Sequence, residues 1–93
     1  MPKLWELLDE AYECIGDSRY DEAQSILRMA LSVDPQNVDA WNAYIQICET
    51  AGELEQLRQY IHNVWKKHVR GNDYLFATQR FVLQRLDEKL NSL

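Results

Sequence analysis

One amphipathic segment of the chain returns 34 positions later: Tyr20 matches Leu54, Ala23 matches Leu57, Leu27 matches Ile61 and Ala30 matches Val64. The segments that precede these two match at an offset of 36, Trp5 with Trp41, Leu8 with Tyr44, Tyr12 with Cys48 and Gly16 with Gly52. Self-similarity at a period of roughly 20–50 residues marks a chain of stacked supersecondary units. The two-residue difference between the offsets places an insertion around Asp17 and Ser18. Such a unit cannot bury both of its faces alone, so its neighbours must supply the missing contacts.

Each unit reads as a helical hairpin. Apolar residues recur at helical spacing in five segments, and no segment alternates as a half-buried strand does. The first, about 3–15, carries Leu4, Trp5, Leu8, Ala11 and Tyr12 and ends near Gly16, suited to the left-handed position after a helix. Ser18 then caps the second, which runs to about 32 and stops at Asp34-Pro35. Asn37 caps the third, in which Trp41, Tyr44, Ile45 and Cys48 precede a closing Gly52. The fourth spans about 54–69 with Leu54, Leu57, Ile61, Val64 and Trp65. The fifth, about 73–91, contains Leu75, Phe76, Phe81, Val82, Leu86 and Leu90. Short connections require successive helices to run antiparallel.

With these residues in place, the sequence resembles the tetratricopeptide repeat family, a helix-turn-helix unit of about 34 residues. The first unit matches the family pattern at Trp5, Leu8, Tyr12, Tyr20, Ala23, Leu27, Ala30 and Pro35, with Asp9 where a small residue is usual. The second keeps Trp41 and Gly52 but has Ile45 at the small position, Leu57 and Val64 in place of Ala, and Val69 in place of Pro. The resemblance covers about residues 4–70. It implies an all-α superhelix of five antiparallel helices in one domain, residues 1–93, with repeat one about 2–36, repeat two about 38–71 and a capping helix about 73–91.

Composition agrees with a soluble globular chain: 93 residues, 46% hydrophobic and 27% charged, with 3 Gly and 2 Pro. Its net charge of −5 is unevenly spread. Residues 1–55 hold three basic groups against twelve acidic ones, giving −9, and residues 56–93 hold seven against three, giving +4. An acidic chain lacks the basic footprint that phosphate binding needs, so nucleic acid is not an expected partner. The cluster Lys66, Lys67, His68 and Arg70 fits the C-terminus of a helix, where cations are favoured. No apolar run approaches the roughly 20 residues that span a bilayer, so no membrane is expected and the chain is placed in the cytoplasm. Cys14 and Cys48 lie within amphipathic patterns as buried, reduced thiols.

Nothing in the sequence assembles catalytic chemistry, and neither enzyme activity, a metal nor a cofactor is expected. His62 and His68 fall on different sides of one helix, too far round to share a metal. Glu6, Glu10 and Glu13 have no nucleophile beside them, and the GDS and GND triplets are too short for a phosphate loop. What the resemblance implies instead is a concave binding face made by the first helix of each unit. The offset of 36 places Lys3, Glu6, Glu10 and Glu13 there from the first unit, and Asp39, Asn42, Gln46 and Glu49 from the second. Phe76 and Arg80 come from the fifth helix. The family's chaperone-tail binders need Lys, Asn and Arg where this chain has Glu6 and Glu10. The expected partner is therefore a basic or amphipathic segment of another protein, with the chain acting as an adaptor. The alternative is self-assembly as a weak homodimer through Phe76, Phe81, Leu83, Leu90 and Leu93 of the fifth helix.

Overall fold

The computed structural model describes residues 3–66 and 73–93, with side chains of the last helix described from residue 77 onwards. Five helices account for nearly all of them, as the periodicity predicts: α1 (Leu4–Gly16), α2 (Tyr20–Val33), α3 (Val38–Ile47), α4 (Ala51–Lys66) and α5 (Asp73–Ser92). The chain divides into two compact units, Met1–Ile47 and Cys48–Leu93.

In the first unit α1 and α2 form a tight hairpin, and α3 packs on both. At the start of α1 the Glu6 carboxylate accepts the backbone N–H of Lys3 at 3.3 Å, which satisfies one of the donors a helix start exposes. At its end the Arg19 N–H reaches the Cys14 carbonyl at 2.8 Å and the Ser18 N–H reaches Ile15 at 3.1 Å, the paired bonds of a Schellman turn. The residue in the left-handed conformation is Ser18, at φ 60. This corrects the expectation for Gly16, which is the last residue of α1, and for Ser18 as a cap, since Arg19 is the N-cap of α2 and makes no side-chain capping bond.

The next turn follows the sequence closely. Asp34 is extended, at φ −139, as a residue before proline must be. Asn37 Oδ1 accepts the Ala40 N–H at 3.0 Å and so caps α3. The Trp41 indole N–H donates to the Pro35 carbonyl at 2.8 Å, tying the helix to the turn that launches it.

Burial revises the pairing of the two repeats. Leu7, Ala11, Cys14, Ala23, Leu27 and Leu31 are buried, and so are Trp41, Ile45, Cys48, Leu57, Ile61 and Trp65. These pairs share one offset of 34 through both helices of each unit. Trp5 is 59% exposed while Trp41 is 0% exposed, so they are not equivalent, and Leu7 holds the position that Trp41 occupies. No insertion is needed near Ser18. The offset of 36 arises because Trp5, Leu8 and Tyr12 form a second apolar stripe on α1, beside the one that enters the core. Ala11, Ala23 and Ala30 are all fully buried, and such small side chains let α1 and α2 approach closely.

The second unit is built from α4 and α5. Thr50 Oγ1 accepts the Glu53 N–H at 3.1 Å, and the Glu53 carboxylate accepts the Glu49 N–H at 3.1 Å. This Thr-x-x-Glu arrangement starts α4 at Ala51 rather than at about 54. Gly52, expected to close the third helix, therefore lies in the first turn of α4. The expected end of this helix near 69 falls outside the described residues. Leu54, Leu57, Ile61 and Trp65 line the buried stripe of α4, and Val82 and Leu86 that of α5. Arg58 joins the two helices through Asp87 while its Nε lies 3.5 Å from Glu55.

Candidate functional site

Most of α3 is buried: Ala40, Trp41, Ala43, Tyr44, Ile45 and Ile47 face inward. What it leaves to solvent is a narrow stripe, Asp39 and Gln46 exposed with Asn42 half-buried between them. At the corresponding positions 34 residues earlier, α1 shows Trp5, Leu8 and Tyr12, with Tyr12 46% exposed and Leu8 half-buried. Both stripes follow the i, i+3, i+7 spacing of one helical face.

Helices α1 and α3, which carry the two stripes, are in contact within this unit. The phenol of Tyr12 is held above its ordinary value, first by partial burial and then by the nearby carboxylate of Asp39. The Asp39 carboxylate on α3 is thus near enough to the Tyr12 phenol on α1 to disfavour its ionisation. Behind this face Arg28 of α2 donates from Nε to the Tyr44 hydroxyl at 2.9 Å and its guanidinium lies 6.0 Å from the Tyr44 ring centroid. Tyr44 is thereby fixed from the opposite side, which holds α3 and its open stripe in register.

The expected site residues take three kinds of place. Asp39, Asn42 and Gln46 lie together on α3 as described. Lys3, Glu6, Glu10 and Glu13 are all exposed. At about 100° per residue, Glu6 and Glu13 fall about a quarter-turn from Trp5 and Glu10 and Lys3 nearer a half-turn, on the side away from Leu8. Asp9 stands between them and the aromatic stripe. The other three belong to the second unit. Glu49 is exposed ahead of α4, and Arg80 lines an open hollow of about 450 Å³ along α5 with Leu83, Gln84, Asp87, Glu88 and Asn91. The side chain of Phe76 lies outside the described residues.

Trp5, Leu8 and Tyr12, paired in the sequence with Trp41, Tyr44 and Cys48, do not share the burial of those three: Trp5 and Tyr12 are exposed and Leu8 is half-buried. A single offset of 34 carried back from Trp41 and Cys48 to Leu7 and Cys14 would have found them. Among the described residues there is no group of three or more His, Cys, Asp and Glu side chains able to hold a metal ion. No described helix is long and apolar enough to cross a membrane. The face is thus a strip of solvent-exposed aromatic and aliphatic surface with a carboxylate margin, an arrangement that can cover apolar side chains and meet cations.

Compared with known proteins, the chain matches the model of the tetratricopeptide repeat family over residues 15–70. No curated protein and no solved structure gives a match. The matched segment begins at the end of α1 and covers α2, α3 and α4.

Proposed function

Because the chain belongs to the tetratricopeptide repeat family, whose repeats mediate protein–protein contacts, we propose that it is a non-catalytic adaptor that grips a basic, amphipathic segment of another protein on the α1/α3 face. Residues about 2–36 and about 38–71 would then be the two repeats, with α5 as the capping helix of a single domain.

The observation that carries this reading is the exposure of Trp5 and Tyr12 along α1, with Asp39 exposed on α3, the helix packed against it. Aromatic side chains bring large contact area at little entropic cost, which is why they concentrate in interfaces. The surface still open on Trp5 and Tyr12 amounts to about 200 Å², or about 5 kcal/mol of gross burial at 25 cal/mol per Å². Association itself costs about 4–15 kcal/mol in lost freedom. The aromatics alone therefore do not hold a ligand. The surplus comes from the carboxylates Asp9, Glu13 and Asp39, which favour a segment carrying Lys or Arg beside its apolar residues.

Affinity capture quantified by mass spectrometry tests the face directly. Trp5→Ala with Tyr12→Ala should deplete the captured proteins at least tenfold, whereas Met29→Ala with Val33→Ala, an exposed apolar pair on α2, should leave them unchanged. Capture indifferent to the first pair would reject this face.

A further inference from the structure

The charge of the chain is divided, −9 over residues 1–55 and +4 over residues 56–93, and each half shows an exposed aromatic on a helix surface. In the first unit Trp5 and Tyr12 have Asp9 beside them on α1, Glu13 further round the same helix and Asp39 on the contacting α3, all exposed. In the second, α5 exposes Phe81 at 46%, flanked by the exposed Arg80 and Arg85. The Arg85 guanidinium lies 5.5 Å from the Phe81 ring centroid, a cation stacked on an aromatic face. Asp87 is engaged by Arg58, which leaves Glu88 as the exposed carboxylate among these residues of α5.

We infer that the α1/α3 face of one copy accepts the Arg80–Phe81–Arg85 surface of α5 from a second copy, in a head-to-tail association. This rests on the proposed reading for the face itself and names its occupant as the same chain. The argument is one of charge and shape together. From Ala77 to Gln84 α5 offers about 10 Å of helix at 1.5 Å per residue, the same length as the Trp5–Tyr12 stripe. Phe81 meets the aromatic stripe while Arg80 and Arg85 meet its carboxylate border. Because the two surfaces differ, the contact is heterologous, and each open assembly keeps one free surface of each kind, one at either end. One helix laid on a two-helix strip falls below the roughly 1,200 Å² of a stable complex, so association is weak and depends on concentration and salt.

Sedimentation of the full chain from about 10 μM to about 1 mM, in about 20 mM and about 0.5 M salt, tests this. The wild-type chain should exceed twice the monomer mass at the top concentration in low salt and return to monomer in high salt. Trp5→Ala with Asp39→Ala removes one surface and Phe81→Ala with Arg85→Ala removes the other. With circular dichroism showing both variants folded, each should be monomeric alone, and their equimolar mixture should form a 1:1 dimer that grows no further. A wild-type chain that stays monomeric at 1 mM overturns the inference, and so does either variant that self-associates like the wild type. Should the wild type be monomeric while partner capture still depends on Trp5 and Tyr12, the self-association fails and the adaptor reading stands.

Discussion

Leu7 and Trp5 lie two residues apart on α1 and decide between the two registers. Leu7 is 3% exposed and Trp5 59% exposed. Truncating a buried leucine to alanine costs about 2–5 kcal/mol through lost transfer energy and the cavity left behind. A central value of about 3 kcal/mol is a large share of the roughly 5–14 kcal/mol expected for a chain of this size. It corresponds to a fall of about 12–24 °C in Tm at about 4–8 °C per kcal/mol. Trp5→Ala removes a side chain whose larger part already faces water, and should cost about 1 kcal/mol, or about 4–8 °C. Thermal melts of the wild type, Leu7→Ala and Trp5→Ala, followed by circular dichroism at 222 nm, separate the cases. The larger loss must fall on Leu7→Ala. If Trp5→Ala melts lower, Trp5 is the core residue, Trp5 and Trp41 are equivalent after all, and the exposed stripe on α1 does not exist.

Two further outcomes follow from local geometry. Ser18 holds φ 60, where a side chain costs about 1 kcal/mol that glycine avoids, so Ser18→Gly should raise Tm by a few degrees, and a lowered Tm would contradict the Schellman turn. Burial, then Glu53, pushes the Cys48 thiol up to about 11, with Lys89 opposing. A raised folded-state value means that stability is constant below about pH 9 and declines as pH rises towards 11, because only the unfolded chain ionises there. Cys48→Ala should flatten that decline in urea melts, and an unchanged slope would refute the burial of this thiol.

Much of the fold was legible because its signals are local. Pro35 forces Asp34 out of helical geometry, Asn37 offers the cap that Ala40 uses, and the buried spacing of Ala23, Leu27 and Ala30 is read directly from α2. The register of α1 was not, since two apolar stripes share that helix. Leu4, Leu7, Ala11 and Cys14 make one and Trp5, Leu8 and Tyr12 the other, and bulk favours the tryptophan. Hydrophobicity alone does not say which stripe a neighbouring helix will cover. Packing decides it, through the small Ala11 that lets α2 approach. The same ambiguity hid the exposed strip on α1, because an aromatic left at the surface looks in sequence like one that serves the core. The stop of α3 at Ile47 was likewise obscured by Gly52, a residue that signals a helix end but here lies inside the Thr50-capped start of α4.

The most direct test of the binding face is photo-crosslinking from within it. A benzophenone side chain placed at position 12, and in a control at position 29 on α2, can be activated in lysate and the adducts sequenced by mass spectrometry. Position 12 should tether protein segments in which Lys or Arg alternates with apolar residues, and position 29 should tether few. Adducts formed chiefly at position 29, or acidic segments at position 12, would contradict the account.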